Sequence, residues 1–143
     1  MYEFLDYRVQ DVMSSPVCVG PEATLAEVEA TLESKHFNGL PVVDGAGRLV
    51  GWVTSLDLLK AFDFPEDVIL PPFERVMERP VEGVMQRDVW TVCPRTPLER
   101  VVHKLVDTGS RSFPVVEDDR VVGVVSRQDV MRALRLGSAG QKP

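Results

Sequence analysis

The strongest constraint on the fold is an internal repeat, because residues 9–62 and 81–134 align along their whole length. Both segments carry a Val-Met pair, apolar residues at helical spacing, a Pro-Val-Val-acid stretch, and a Gly that precedes Thr or Ser and then Asp. The aligned pairs that close the repeat are Gly51 with Gly123, Thr54 with Ser126 and Asp57 with Asp129. A repeat of this length predicts one supersecondary unit used twice, with neither copy large enough to be stable alone.

Each copy predicts the same order of elements, β-α-β-β-α. A short apolar run predicts a first strand at 17–19 and again at 89–92. Thr24 and Thr96 then stand at the N-cap of a helix, each with a Glu three residues later, which is the spacing of a capping box. Two Val-rich strands joined by a tight turn follow, and a second helix closes the copy. The closing helices are predicted over 55–62 and 127–136, and the fold class is α/β (α+β).

The repeat also sets the predicted domain boundaries. We expect the two copies to pack on each other about a pseudo-twofold axis, because Val-rich strands with little alternation need cover on both faces. The chain would then be one cooperative module with nothing left over. The predicted segments are an N-terminal segment 1–8, repeat 1 at 9–62, a proline-rich linker 63–80 with a short helix at 73–78, repeat 2 at 81–136, and a disordered tail 137–143.

Composition excludes several classes of protein. The chain has 22 acidic and 16 basic residues, a net charge of -6, which disfavours bulk nucleic-acid binding, although a local basic patch around Arg127, Arg132 and Arg135 stays open. No apolar run is long enough to cross a membrane, and the first residues lack the order of a signal peptide. Two cysteines, Cys18 and Cys93, with no CxxC spacing, exclude a disulfide scaffold and indicate a reducing, cytoplasmic location. We expect both to be buried as small apolar residues.

Catalysis and metal binding find little support in the sequence. The two histidines, His36 and His103, belong to no HExxH pattern, and neither a GxSxG motif nor a Walker-type glycine loop is present. Cysteine, histidine and acidic residues do not cluster at the spacing of metal ligands. We therefore expect a protein that is not an enzyme and requires neither a cofactor nor a metal.

The stretches GWVTSLD and GVVSRQD, each after a Pro-Val-Val-acid strand, carry a family resemblance. Two such units in this order resemble the cystathionine-β-synthase (CBS) domain pair, or Bateman module, over essentially the whole chain. The resemblance implies a free-standing regulatory sensor that binds an adenosyl ligand (AMP, ADP, ATP, an NAD-type dinucleotide or S-adenosylmethionine) in a cleft between the repeats. It also implies a homodimer that signals to an effector protein by a conformational shift. The alternative is a ligand-free dimerisation or scaffold module.

The Thr/Ser-x-x-Asp motif has a chemistry of its own. A hydroxyl beside free backbone N–H groups at a helix N-terminus suits a phosphate, and a carboxylate one turn later can accept both hydroxyls of a ribose. This assigns Asp57 and Asp129 to the ribose, and Thr54 and Ser126 to the phosphate. The same spacing is a capping box, which stabilises a helix by about 1 kcal/mol with no ligand at all. Both roles stay open at this point.

The two copies are not equivalent. Arg111 and Arg127 of the second copy lie where a phosphate would be met, whereas the first copy has Asn38 and Ser55. We therefore expect one well-formed site, in the second copy, unless these arginines are simply solvated.

The resemblance places the pocket for the base at the start of the first strand and just before Pro-Val-Val. Trp90 there would stack on the base, lie at the rim or contact a second copy in a dimer, and Trp52 is expected in the core. The implied pocket residues are Val17, Cys18, Gly39, Leu40 and Pro41 in the first copy, and Trp90, Thr91, Ser112, Phe113 and Pro114 in the second.

Overall fold

The computed structural model describes residues 6–139, which form six α-helices and four β-strands. The strands make two separate antiparallel sheets, β1 with β2 and β3 with β4. The prediction of a mixed fold built from two copies of one unit is confirmed. In chain order the elements are α1 (Val9–Val12), α2 (Leu25–Lys35), β1 (Gly39–Val43), β2 (Leu49–Thr54), α3 (Ser55–Lys60), α4 (Phe73–Met77), α5 (Leu98–Thr108), β3 (Ser112–Glu117), β4 (Arg120–Ser126) and α6 (Arg127–Ser138).

The chain divides into two compact units that do not coincide with the sequence repeats. Within the described residues, unit 1 joins residues 6–16 to 90–139, and unit 2 is Val17–Val89. The segment that opens each repeat therefore packs with the remainder of the other repeat. We call residues 9–16 of unit 1 and 81–89 of unit 2 the exchanged segments.

Backbone hydrogen bonds dock each exchanged segment on a strand. Ser14 exchanges two bonds with Val124 of β4, at 2.9 and 3.0 Å between N and O. Gln86 does the same with Trp52 of β2, at 2.8 Å in both directions. The two dockings use aligned positions of the repeat, so the sequence repeat is preserved as a structural repeat after the exchange.

A glycine in each strand makes room for the exchanged segment. A Cβ added at Gly51 would lie 2.5 Å from the sulfur of Met85 and 2.9 Å from the backbone oxygen of Gln86. A Cβ at Gly123 would lie 2.7 Å from the sulfur of Met13. Side chains do not approach a Cβ so closely, and only a residue without a Cβ allows this contact.

Each unit has its own apolar core, and a long helix supplies one side of it. In unit 2 the helix α2 buries Leu25, Val28 and Leu32, and in unit 1 the helix α5 buries the aligned residues. The spacing of three and four residues puts these side chains on one helical face, as the sequence predicts. The aligned residues of α5 are Leu98, Val101 and Leu105, and all six side chains are at least 93% buried.

Both hairpin turns form where the sequence predicts them. Asp118 and Asp119 join β3 to β4 with φ values of 52° and 65°, the left-handed conformations of a two-residue hairpin turn. In the longer turn between β1 and β2, the Asp44 carboxylate accepts backbone N–H bonds from Ala46 and Arg48 at 2.9 and 3.0 Å. The aspartates therefore supply turn chemistry rather than ligand chemistry.

The prediction of a first strand in each copy is wrong, because each of these segments forms only a single parallel bridge. Val19 bridges Val42 of β1, and Val92 bridges Val115 of β3. Pro21 and Pro94 follow closely, and a proline has no N–H with which to continue a ladder.

The predicted N-cap of α5 is also wrong. The helix begins at Leu98 with Pro97 as its N-cap, because the Thr96 hydroxyl accepts the Cys93 backbone N–H at 3.0 Å instead. Thr24 does cap α2, as predicted, by accepting the Glu27 N–H at 3.2 Å.

The tail prediction is wrong at its start, because α6 continues through Ser138 with Gly137 buried against the core. Residues 140–143 of the tail and residues 1–5 of the N-terminal segment lie outside the described residues. The linker helix α4 forms as predicted and ends one residue early, while α3 ends two residues before the predicted Phe62. Across residues 6–139, no helix combines the length and the apolarity needed to span a membrane.

Candidate functional site

In unit 1 the predicted ribose and phosphate residues meet at the junction of β4 and α6. Ser126 is the N-cap of α6, and its backbone N–H and hydroxyl both donate to Asp129 Oδ2, at 2.9 and 3.0 Å. The Asp129 N–H donates back to the Ser126 hydroxyl at 3.2 Å. The exchanged segment adds a third donor, because the Ser14 hydroxyl lies 3.2 Å from Asp129 Oδ1. Arg132 lies further away, at 3.9 Å from Oδ1.

Unit 2 repeats this junction between β2 and α3 with different neighbours. Thr54 is the N-cap, and its backbone N–H and hydroxyl donate to Asp57 Oδ2 at 2.8 and 3.0 Å. The exchanged segment contributes Gln86, whose side-chain amide donates to the same oxygen at 3.0 Å. Lys60 donates to Oδ1 at 2.6 Å. The capping boxes of both Thr/Ser-x-x-Asp motifs therefore form, each with an added contact from an exchanged segment.

The two carboxylates differ in their hydrogen-bond donors and in their exposure. A carboxylate offers about four lone-pair positions. Asp57 receives four hydrogen bonds and its side chain is 0% exposed. Asp129 receives three from the described residues, and its side chain is 10% exposed. Three of the four donors of Asp57 share Oδ2, so Oδ1 accepts one bond in each carboxylate, from the Lys60 ammonium in Asp57 and from the Ser14 hydroxyl in Asp129. Asp129 is therefore the carboxylate with the weaker donor on Oδ1 and with an exposed surface.

The hydrogen bonds of Asp57 change its acidity. Burial by itself raises the pKa of this carboxyl, but the hydrogen bonds from Lys60, Thr54 and Gln86 outweigh it and hold the pKa below its usual value. A carboxyl with a lowered folded pKa contributes stability that is complete above its unfolded pKa, near 3.8, and is lost as the pH falls through the folded pKa.

This predicts an acid-dependent role for Asp57 in stability. We expect Asp57→Asn to lower the free energy of unfolding by about 1–3 kcal/mol at neutral pH, because hydrogen bonds to a charged group are lost. The difference from the wild type should shrink below about pH 4 as the carboxylate takes up its proton. Urea unfolding at a series of pH values measures this, with exposed Glu66→Gln as the control. A difference that stays constant down to about pH 2 would contradict the assignment.

The two arginines predicted to contact a phosphate, Arg111 and Arg127, lie near the junction of β4 and α6 in unit 1. Arg127 has a structural role there. The guanidinium of Arg127 donates to the backbone oxygens of Ser110 and Gly109, at 2.9 and 2.6 Å, and so ties α6 to the C-terminal end of α5. The backbone N–H of Arg127 donates to the Arg111 carbonyl at 2.9 Å. Arg111 is exposed. A phosphate contact by either arginine stays a prediction.

The predicted base-pocket residues of unit 2 lie along the start of β1. Leu40 is fully buried in the core, and Gly39 lies so close to the ring of Trp52 that an added Cβ would be 2.6 Å from it. Trp52 is itself buried, which confirms its predicted place in the core. The Pro41 carbonyl accepts a backbone bond of 3.1 Å from the segment 17–19. Val17 and Cys18 in that segment are half-buried.

In unit 1 some residues predicted for the base pocket are buried in the core and others lie at the surface. Ser112 pairs with Ser126 across the hairpin, and Pro114 accepts a backbone bond of 3.2 Å from Val92. Phe113 is 3% exposed, and its ring meets the edge of Trp90 at a centroid distance of 4.7 Å. The Lys104 ammonium lies 5.3 Å from the centre of the Trp90 ring. Trp90 therefore already has an aromatic and a cationic partner, and stacking on a base stays a prediction.

A cavity of about 630 Å³ in unit 1 contains part of the predicted site. Trp90 and Thr91 line it together with Cys93, Arg100 and the hairpin turn 118–119. Ser126 and Asp129 are not among its lining residues. This cavity therefore contains predicted base residues of unit 1 without its predicted ribose residue.

The cysteines differ from the prediction that both are buried. Cys93 is exposed, and the Thr96 hydroxyl at 3.2 Å lowers the pKa of its thiol, with slight burial opposing and backbone groups of Arg95 and Thr96 assisting. Cys18 is half-buried, and this burial raises the pKa of its thiol. Within residues 6–139, no group of His, Cys, Asp and Glu is arranged to hold a metal ion.

Sequence reasoning missed three residues of the site, namely Ser14, Gln86 and Lys60. Ser14 and Gln86 follow the aligned Val-Met pairs, so a signal was present in the repeat itself. That signal could not be interpreted because each residue serves the Asp of the other repeat. Lys60 is aligned with Arg132. Only the structure shows that Lys60 lies 2.6 Å from its carboxylate whereas Arg132 lies 3.9 Å from the other.

Both repeats match a known domain family. Residues 9–63 and 81–136 each match the CBS domain. The CBS domain pair of protein MJ0100, solved in complex with 5′-methylthioadenosine and S-adenosyl-L-methionine, is 30% identical, with 88% of this chain and 94% of that chain covered and a TM-score of 0.73. The structure of CBSX2 in complex with AMP is 29% identical, with coverages of 89% and 95% and a TM-score of 0.75.

A curated relative extends far beyond this chain. The A-adding tRNA nucleotidyltransferase of Aquifex aeolicus is 31% identical over 134 residues, which are 93% of this chain but only 15% of that protein. The activity in that name is therefore not carried over. The family match, by contrast, covers both repeats, and the resemblance noted in the sequence is confirmed: this chain belongs to the CBS domain family, as a tandem CBS pair.

Proposed function

We propose that this chain is a regulatory module that binds an adenosyl nucleotide through Asp129 and Ser126 of unit 1. The observation that carries the proposal is the Asp129 carboxylate, which is oriented by Ser126, reaches the surface and keeps an unfilled acceptor position. A ribose presents two neighbouring hydroxyl donors, which suit such a carboxylate.

Two further observations support the choice of unit 1. The helix α6 is twelve residues long, so its N-terminus favours an anionic group near Ser126. The CBS pairs of MJ0100 and CBSX2 were solved with ligands that all contain adenosine. We carry only this shared chemistry to the present chain, and the preferred ligand among AMP, ADP, ATP, NAD and S-adenosylmethionine is left to experiment.

Ser14 offers a route from ligand binding to a conformational signal. Its hydroxyl donates to Asp129 Oδ1 at 3.2 Å, so a ribose hydroxyl would compete with it for that oxygen. A ligand that replaces this bond favours a state in which the exchanged segment 9–16 is less firmly held, and an effector protein would read that change. The shift can be no larger than the difference in ligand affinity between the two states.

A thermal-melt panel with AMP, ADP, ATP, NAD, 5′-methylthioadenosine and S-adenosylmethionine tests the proposal. A ligand at about 100 times its Kd adds about 2.7 kcal/mol of stability. We expect at least one of the six to raise the Tm by several degrees. A panel without any shift at millimolar ligand would overturn the proposal.

The second candidate function is a ligand-free dimerisation or scaffold module. It is favoured by one observation, which is that both capping boxes are complete with protein groups alone. A helix cap of this kind contributes about 1 kcal/mol to stability without any ligand. The silent panel that overturns nucleotide binding is the result that this candidate predicts.

We also propose that the chain forms a homodimer and works in the reducing cytoplasm. Two unpaired cysteines suit that compartment.

Aligned positions of the closing helices carry exposed apolar side chains, Leu59 on α3 and Met131 on α6, at 64% and 57% exposure. Beside Met131, an apolar groove of about 370 Å³ runs between α5 and α6. A second copy presents the same groove and the same Met131, so a self-complementary contact at α6 would cover them.

The dimer proposal predicts that a charge introduced on α6 weakens self-association. We expect Met131→Asp to weaken self-association at least tenfold, because a carboxylate would be buried without a partner. Light scattering coupled to gel filtration over a range of concentrations measures the mass. Ile69→Asp is the control, since Ile69 is 93% exposed but lies in the linker. A wild-type mass of one chain at all concentrations would refute the dimer.

A further inference from the structure

The two exchanged segments deliver different residues to otherwise equivalent carboxylates. The docking is the same in both units, because Ser14 and Gln86 each exchange two backbone hydrogen bonds with the strand that precedes the Asp. Their side chains differ in length and in donor strength. Ser14 reaches one oxygen of Asp129 at 3.2 Å, and Gln86 reaches Asp57 at 3.0 Å as its fourth donor.

We propose that two positions decide which of the two carboxylates is open to a ligand. One is the residue that follows the Val-Met pair, Ser14 or Gln86, and the other is the residue one helical turn after the Asp. Gln86 and Lys60 close Asp57, and Ser14 and Arg132 leave Asp129 open. This inference rests on the proposed function, because it explains why one junction of the pair takes the ligand and the other does not.

The closure of Asp57 follows from the strength of its four bonds. The ammonium of Lys60 is a charge-assisted donor at 2.6 Å, and such bonds are about twice as strong as neutral ones. Three of the four donors share Oδ2 and Lys60 alone occupies Oδ1, so a ribose hydroxyl would have to displace Lys60 to reach the less crowded oxygen. The carboxylate is also 0% exposed, so displacement must precede contact.

The opening of Asp129 follows from the same comparison. Arg132 stands at the position aligned with Lys60, but its guanidinium is 3.9 Å from the carboxylate, beyond hydrogen-bond distance. The Ser14 hydroxyl is a neutral donor at 3.2 Å, and a ligand hydroxyl can replace it by an equivalent bond. One ribose hydroxyl can take the unfilled acceptor position and the other can take the place of Ser14.

A reciprocal exchange of the four residues tests the inference. In the closing variant, Ser14→Gln and Arg132→Lys give unit 1 the donors of unit 2. In the opening variant, Gln86→Ser and Lys60→Arg give unit 2 the donors of unit 1. Isothermal titration with AMP, and with adenosine as the ribose probe without phosphate, measures affinity and stoichiometry for the full chain. Urea unfolding of each variant establishes that it is folded, and Ser14→Ala is a milder variant that removes the competing donor only.

We expect the wild type to bind one equivalent, the closing variant to bind at least tenfold more weakly, and the opening variant to gain a second equivalent. Ser14→Ala should bind as well as the wild type or better. Unchanged affinity in the closing variant would overturn the inference while leaving the proposed function intact. If the wild type binds neither probe nor any other nucleotide of the thermal-melt panel, the proposed function fails, and the opening variant still decides the inference, since no gain of binding there would overturn it.

Discussion

Asp129→Asn is expected to weaken adenosyl-ligand binding by about tenfold to hundredfold. The substitution keeps the size of the side chain but replaces a charged acceptor by a neutral amide, and a hydrogen bond to a charged group contributes about 1.5–3 kcal/mol. Ser126 and the helix N-terminus stay in place, so residual binding through the anionic part of the ligand should remain. Isothermal titration with whichever nucleotide gives the largest thermal shift measures the loss.

Asp57→Asn is the matched control for this prediction. Asp57 occupies the aligned position with the same N-cap geometry, but its carboxylate is 0% exposed and its Oδ1 is bound by the Lys60 ammonium. We expect its substitution to leave ligand affinity within about twofold of the wild type, although it lowers stability. Equal losses in the two variants would contradict a single open site and would indicate that both junctions bind ligand.

Gly51→Ala is expected to destabilise the protein by about 1–3 kcal/mol, because a methyl group cannot fit where the exchanged segment crosses β2. The new Cβ would lie 2.5 Å from the Met85 sulfur and 2.9 Å from the Gln86 backbone oxygen. The sulfur can move, but the backbone oxygen accepts the Trp52 N–H at 2.8 Å and moves only if that bond is lost. Urea unfolding measures the change, and hydrogen exchange should show faster exchange of the Gln86 amide.

Gly45→Ala provides the control for the glycine prediction. Gly45 lies in the turn between β1 and β2, and an added Cβ there meets nothing within 4 Å. We expect a change in stability within about 0.5 kcal/mol. If Gly51→Ala proves equally harmless and the Gln86 amide stays protected, the close contact with Met85 and Gln86 does not exist in solution.

Much of the local structure could be predicted from the sequence because local interactions determine it. Thr24, Thr54 and Ser126 cap helices as their spacing predicts, since a cap involves residues only three positions apart. The apolar faces of α2 and α5 follow from helical periodicity. The predictions that failed involve competing local interactions: Pro21 and Pro94 limit the first strands to a single bridge, and the Thr96 hydroxyl accepts the N–H of Cys93 instead of a helix N–H.

The sequence by itself determined the repeat, the family, the fold class and the two Thr/Ser-x-x-Asp junctions, because these are properties of local pattern that recurs in both copies. Only the tertiary structure decided which residues surround each carboxylate. The exchanged segments bring Ser14 to Asp129 and Gln86 to Asp57 across long separations in the chain, and no local pattern specifies such a pairing. This packing sets which donors reach each Asp and leaves the Asp57 side chain 0% exposed and the Asp129 side chain 10% exposed.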